Sequence, residues 1–540
     1  MKKNLSAKVT GALLAAAMLL SACAAGNTAA GTAAPETSAD AAEAPAVEAE
    51  APAAEMAETA EAPAESEGAS GEWEGDIDEI EIVLFDIANG NEGTEPIVAA
   101  ANAITEKTIG VRASINYIPF GDYITQLNLI LTSSEPVDII NFTALPGANF
   151  STLMANGQLM DITEYMDEYG TGISSLMGDY LGATSMDDSI YGVPTYRSYG
   201  SSSMLIMRED VLEEVGMVDK ARSASTWTDI EEIFAAVAEK TDVSPIGGGQ
   251  IVGVNGGSIY GEDAFSDAIV FDTLGDTNYL IYNNNGELSL LPEKESFRTQ
   301  QDRVRNWYNN GYVYKDSILD STDPTVLISN GAIMTMGISG EIGAEESWSD
   351  RLGTPVVGIE LNRNLLRASS INSWGMAVPV TADEPEAAVR WLNELYTNPD
   401  LENILVWGIE GEDYTVNDGV AAYPEGTDAT TARYHKTEFA YGNYFNLLPW
   451  DGTPANFREI AMEYSNEFEV SPYSSFNADL SEQNNLIAAL TTTISKYKGD
   501  IFCGAFTDEE YDSYVSDLKT AGVEELIATY QEQLNAYLGK

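Results

Sequence analysis

Residues 111–142 read VRASINYIPFGDYITQLNLILTSSEPVDIINF, and the class of fold follows from them. Val111 to Ile118 is an extended apolar run of strand length. From Asp122 to Thr132 the spacing changes to that of a helix, with Ile124, Leu127 and Leu131 on one face. Val137 to Phe142 is again a strand. A helix between two such strands predicts a βαβ unit and a mainly parallel sheet. Just upstream, Ile80, Ile82, Val83, Leu84 and Phe85 form a first buried strand, so folding is expected to begin near Ile77, and Ile97 to Lys107 reads as a helix. Ligands on α/β sheets bind beyond the C-terminal strand ends. Those ends are Pro119-Phe120-Gly121-Asp122 and Asn141-Phe142-Thr143, which makes Phe120, Asp122 and Thr143 candidate binding residues. Capping and turn formation are their plainer roles.

The front of the chain is of another kind. Lys2, Lys3 and Lys8 precede a small and apolar run from Gly11 to Leu20. That run is shorter than the roughly 20 residues needed to cross a bilayer, and it fits the centre of an export signal. It ends in Leu20-Ser21-Ala22-Cys23, which resembles a bacterial lipoprotein processing box. The resemblance implies a signal peptide over 1–22 and a mature chain that begins with a lipidated Cys23. Residues 24–75 are rich in Ala, Glu, Pro, Thr and Ser, without Lys, Arg or His. Such a stretch buries too little apolar surface to offset the entropy of ordering. Residues 23–75 are expected to be a lipid-bearing, self-repelling tether.

Composition removes several function classes. The chain has 86 acidic and 26 basic residues, for a formal charge of −60. Nucleic-acid binding requires a basic footprint and is not expected. With Cys23 lipidated, Cys503 is the one remaining cysteine, so an intrachain disulfide has no second partner. Cys503 follows Ile501 and Phe502 and reads as a small buried hydrophobe. The one histidine, His435, lies in a polar run and reads as a surface residue. There is no G-x-S-x-G elbow, H-E-x-x-H motif or P-loop. Gly247-Gly248-Gly249 with Gly256-Gly257 lacks dinucleotide-loop spacing, and Glu410 to Asp413 lacks the alternating ligands of an EF-hand loop. No cofactor and no metal are expected.

A series of motifs then carries a resemblance. Phe120-Gly121-Asp122-Tyr123 through Asp138-Ile139 is followed by Gly157-Gln158-Leu159-Met160-Asp161-Ile162 and Ser189-Ile190-Tyr191-Gly192-Val193-Pro194. Next come Met204 to Gly216, Thr226-Trp227-Thr228-Asp229, Asn330 to Gly337, Trp374 to Pro379, Pro385 to Thr397 and Trp407-Gly408-Ile409-Glu410-Gly411-Glu412-Asp413-Tyr414. In this order they resemble the extracellular solute-binding proteins of ABC transporters, and the last resembles a sugar-binding branch. Phe476 onward resembles that branch's C-terminal domain of unassigned role. Thr226 with Asp229 also predicts a capping box, with Asp in the usual place of Glu.

The resemblance implies a two-lobed α/β fold of the periplasmic-binding-protein type (type II), with a ligand cleft between lobes and an extra helical C-terminal segment. Crossings are expected after Pro194, near Asn330 and near Trp374. This places 76–197 with 331–373 in one lobe and 198–330 with 374–540 in the other. The implied function is capture of an oligosaccharide for an ABC permease and its ATPase by a monomer, lipid-anchored outside the cytoplasmic membrane and not itself an enzyme. A glycan-cleaving hydrolase and a peptide-binding surface lipoprotein are the alternatives. Sugar rings offer apolar faces and hydroxyl edges, which suit aromatic and hydrogen-bonding side chains. The candidates that combine these at the expected crossings and loops are Tyr196, Arg197, Tyr199, Glu341, Trp348, Trp374, Asn446 and Trp450. Core packing and ordinary loop chemistry are the competing roles for each.

Overall fold

The computed structural model describes residues 72–87, 93–133, 135–145, 147–186, 189–248, 257–319 and 322–540. The expected leader, Cys23 and the tether to residue 71 lie outside these, as do Gly249 and Gly256.

In chain order the elements that position the site are β1 (Asp78–Asp86), α1 (Thr94–Thr108), β2 (Val111–Pro119), α2 (Phe120–Ser133), β3 (Ile139–Phe142) and β4 (Val193–Pro194). They are followed by β5 (Ser202–Arg208), α3 (Trp227–Lys240), β6 (Ser244–Ile246), β7 (Ile333–Gly340), β8 (Val356–Arg363), β9 (Gly375–Ala377), α4 (Pro385–Thr397) and α5 (Pro399–Trp407). Three helices end the chain: α6 (Asn484–Cys503), α7 (Asp508–Thr520) and α8 (Val523–Tyr537).

The strands form two principal sheets. The first is five-stranded in the order β2-β1-β3-β9-β4. Strands β1, β2 and β3 run parallel, with Ile82 opposite Ile115 and Ile139. The expected βαβ unit is thus present, and β9 is antiparallel to both of its neighbours. The second sheet is four-stranded in the order β8-β5-β7-β6. Each sheet has its own apolar core. One is built on Ile82, Phe85, Ile139, Trp391 and Leu392, the other on Leu205, Met207, Ile230, Phe234 and Met334. The capping box at Thr226 and Asp229 forms as expected. Cys503 is buried, in agreement with its apolar setting.

Strand pairing corrects the expected lobe partition. Strands β7 and β8 both pair antiparallel with β5, so residues 333–363 belong to the second sheet. Asn330 and Gly331 form the turn before β7, not a crossing. The return to the first sheet comes between β8 and β9, and Trp374 ends that second crossing. Helices α4 and α5 then pack with the first sheet's core, and the third passage follows Trp450. The physical reason is that alternation within a strand specifies its faces, whereas its sheet is set by a partner far away in sequence.

Helices α6, α7 and α8 form a separate cluster against the hairpin 281–290 through Ile281, Leu290, Leu490, Tyr514 and Leu534. The last turn of the expected tether is already in contact. The Trp73 amide donates to the Lys107 carbonyl at 2.8 Å, and the Arg390 guanidinium lies 4.8 Å from its ring. The indole fits over Gly110, where a Cβ would fall 2.1 Å from Nε1. Folded structure therefore begins a few residues before Ile77. No described helix is long and apolar enough to cross a membrane.

Candidate ligand-binding cleft

The three passages between sheets bring together side chains from distant parts of the chain. Arg197 follows β4 on the first passage, where its Nη1 donates to the Ser198 carbonyl at 3.0 Å and its Nη2 to Ser373 Oγ at 2.8 Å. Ser373 lies on the second passage, so Arg197 ties the two together. Glu341 directly follows β7 of the second sheet. It is solvent-exposed, yet the surrounding protein desolvates the carboxylate and pushes its pKa up, with the Arg197 charge pulling the other way. The two form no direct ion pair within 4.0 Å, so Arg197 acts on Glu341 across a gap.

Two tyrosines complete the group. Tyr444 sits in the turn Tyr444–Asn446, whose main chain is held to the first passage by the Tyr444 amide donating to the Tyr196 carbonyl at 2.9 Å. The Arg458 guanidinium lies 3.9 Å from its ring centroid. Burial pushes the Tyr444 phenol well up; Glu438 and Glu341 add to this and Arg458 opposes it. Tyr464, on the third passage, lies 3.5 Å from Ser202 Oγ at the start of β5. Its phenol is raised by burial, and Glu360 and Glu341 contribute. Glu341 thus acts electrostatically on groups from the first passage, the Tyr444 turn and the third passage.

Of the expected residues, Arg197 and Glu341 come together here. Tyr196 is half-buried beside them, with its ring edge-on to Phe445 at 5.2 Å. Phe120 is half-buried at the start of α2, 5.4 Å from Phe85 and 6.0 Å from Trp374. Asp122 is exposed in the same first turn. Trp374 is 2% exposed and packs on Phe85 and Phe439, with its buried Nε1 lacking a hydrogen-bond partner.

Four others sit in structural roles. Thr143 is fully buried; its hydroxyl accepts from the Leu145 amide and closes a turn. The buried Tyr199 hydroxyl donates to the Thr195 carbonyl at 2.7 Å. Trp348 packs with Leu327, Ile338 and Leu352 behind the second sheet. Asn446 Nδ2 donates to the Tyr396 carbonyl at 3.1 Å and anchors its turn on α4. These side chains are engaged in pairing and packing that a local pattern does not reveal. Tyr444 and Tyr464, which Glu341 influences, are not among the expected residues. The aromatic loop that holds Tyr444 was legible, but which of its half-buried side chains pairs with α4, as Asn446 does, and which meets Arg458, as Tyr444 does, was not.

His435 also departs from expectation. It packs among Trp407, Tyr423 and Trp450 instead of standing free in a surface loop, and burial with the adjacent Lys436 charge pushes its pKa down to about 4. The Glu410–Asp413 loop is a closed turn. Asp413 accepts from the Ile409 amide at 2.9 Å and from Arg433 Nε and Nη2, both at 2.8 Å. Among the described residues no group of three or more His, Cys, Asp or Glu side chains is placed to hold a metal ion.

Residues 99–434 match the bacterial extracellular solute-binding protein family. The chain belongs to that family. Its segment 472–539 matches a separate domain of unknown function, DUF3502. This solute-binding protein is 22% identical over 462 residues to a carbohydrate ABC transporter substrate-binding protein of Streptococcus pneumoniae, covering 85% of this chain and 91% of that one. In fold it is similar to the N-glycan transport solute binding protein NgtS of the same species, with a TM-score of 0.68, 18% identity and coverage of 86% and 99% of the two chains. It is also similar to an HMO-binding, ABC-transporter-associated solute-binding protein of Bifidobacterium longum infantis, with a TM-score of 0.60, 13% identity and coverage of 85% and 99%. The fold is accordingly the two-lobed binding-protein architecture, with extra C-terminal helices.

Proposed function

We propose that this binding protein captures a neutral oligosaccharide between its lobes and delivers it to an ABC permease. The observation that carries the reading is the convergence of Arg197 on the first passage, Glu341 at the end of β7, Tyr444 in its turn and Tyr464 on the third passage. A guanidinium, a carboxylate and two phenols offer donors, acceptors and ring faces, the chemistry a sugar requires. The carbohydrate names of its relatives support the same class. Ligand that contacts one lobe and then the other stabilises the closed state by its differential affinity. The protein makes and breaks no bond in this reading. The surface is strongly acidic, which disfavours a polyanionic ligand.

The lipoprotein-like box at Cys23 supports export with a lipid anchor on the outer face of the membrane, where a monomer would serve the permease and its ATPase. Thermal unfolding against a panel of neutral oligosaccharides, including Man5GlcNAc and kestose, tests the ligand class. A ligand at 100 times its Kd adds about 2.7 kcal/mol to stability. A rise for at least one sugar, with none for mixed peptides, is expected. Rises for peptides alone would overturn the sugar reading, and new reducing ends on incubation would replace it with hydrolysis.

A further inference from the structure

Beside the cleft, the first lobe carries an aromatic cluster that the four converging groups do not use. Trp407 is its floor, 1% exposed and fixed by Nε1 donating to the Leu448 carbonyl at 3.2 Å. Above it stand Tyr423, His435 and Trp450, all half-buried. His435 is 4.4 Å from Trp450, 4.8 Å from Trp407 and 5.2 Å from Tyr423, measured between ring centroids, and Tyr423 meets Trp450 edge-on at 4.8 Å.

The imidazole makes no hydrogen bond to any described residue, and its Nδ1 is buried. Buried polar atoms are nearly always paired, and an orphan costs free energy. Phe would fill this space without that cost. A histidine held here without a partner gains a reason if the partner arrives with a ligand. The cluster also shares its scaffold with the cleft. The segment that carries Tyr444 runs on to Trp450, and Arg458, against the Tyr444 ring, donates to the same Leu448 carbonyl that holds Trp407.

We infer that His435, Tyr423 and Trp450 form an additional sugar subsite on the first lobe, where one ring of a longer oligosaccharide stacks on the aromatic faces and gives a hydroxyl to the imidazole. This rests on the oligosaccharide reading and extends it to ligand length. The imidazole is neutral at pH 7, since its pKa lies near 4. It then offers one donor and one acceptor, which matches a hydroxyl and not a carboxylate or phosphate. A subsite of this kind, added to the contacts at Arg197 and Glu341, would favour chains long enough to touch both.

The chain has one histidine, so ring 15N labelling of the full chain reports this imidazole alone. The probes are Man5GlcNAc and kestose, followed by NMR and by calorimetry on the wild type and on His435→Phe, which keeps an aromatic ring and removes the hydrogen bond. The expected result is a shift of the ring nitrogens at saturation and roughly tenfold weaker binding by His435→Phe of the sugar that shifts them. Arg197→Ala is expected to lose binding of both sugars. Wild-type binding with unmoved ring nitrogens and unchanged His435→Phe affinity overturns the subsite and leaves the oligosaccharide reading standing. If neither probe, nor any other sugar of the panel, binds the wild type, both fall together. The ring spectrum of the wild type decides the matter even if the variant folds poorly.

Discussion

Lys436 Nζ lies 2.6 Å from Asp86 Oδ2, with the lysine side chain fully buried and the carboxylate 3% exposed. The pair joins the C-terminal end of β1 to the segment that leads into the cleft loop. The ammonium also lies 4.4 Å from the Tyr117 ring and 5.0 Å from that of Tyr434. Burial pushes the lysine pKa down, and Asp86 opposes this.

Removing one partner of such a pair takes from the other its close, buried counter-charge. Lys436→Met is therefore expected to cost about 3–5 kcal/mol, and the double variant Asp86→Asn with Lys436→Met to recover most of it. Denaturant midpoints of the wild type and the two variants check this. A double variant as unstable as Lys436→Met alone would show that packing of the stem, not the charge, is what matters.

Glu341 gives a prediction of opposite sign for stability and binding. Its carboxyl pKa is raised in the folded state by desolvation. A raised carboxylate pKa penalises the charged folded form above that pKa and is relieved as pH falls. Glu341→Gln is expected to melt slightly higher than wild type at pH 7 and to bind the best sugar of the panel at least tenfold more weakly. Such a trade of stability for function marks binding residues. Lower melting with unchanged affinity would make Glu341 a structural residue.

The hinge region offers a steric test. Gly200, on the first passage, faces Phe468 on the third so closely that a Cβ would lie 2.3 Å from the ring. The ring is 6% exposed and packed, so it has little room to give. Gly200→Ala is expected to force the passages apart, lowering sugar affinity several-fold while Gly216→Ala, whose Cβ meets no atom within 4 Å, leaves affinity intact despite its left-handed backbone strain. Paired calorimetric titrations separate the two, and equal affinities would place the hinge elsewhere.

His435 sets a pH dependence. Its folded pKa of about 4 lies below the ordinary 6.5, so the unfolded chain binds this proton more tightly. Stability should be complete above pH 6.5 and fall as pH drops toward 4, by up to about 3 kcal/mol from this group. His435→Phe should lose less than wild type between pH 7.5 and pH 4.5. Identical losses would mean that the imidazole titrates normally.

Much of this architecture was legible locally. The alternation of strand and helix over 78–142 specified parallel pairing, and Thr226 with Asp229 specified a helix start, because both depend on neighbours in sequence. Arg197 could be placed near a cleft from its position just past a strand that ends in Val193-Pro194. The sheet that β7 and β8 would join was not legible, since their partner β5 lies over a hundred residues away. The same limit explains Tyr199 and Trp348. An aromatic side chain suits a sugar or a core equally well, and which of these it meets is decided by tertiary packing. His435 shows the reverse case, a residue polar by type whose surroundings turned out to be rings.

Small-angle X-ray scattering with and without a saturating panel sugar, Man5GlcNAc or whichever sugar gives the largest thermal shift, tests the central claim most directly. Lobe closure around an oligosaccharide predicts a smaller radius of gyration and an altered pair-distance distribution on binding. Unchanged scattering at proven saturation would contradict it.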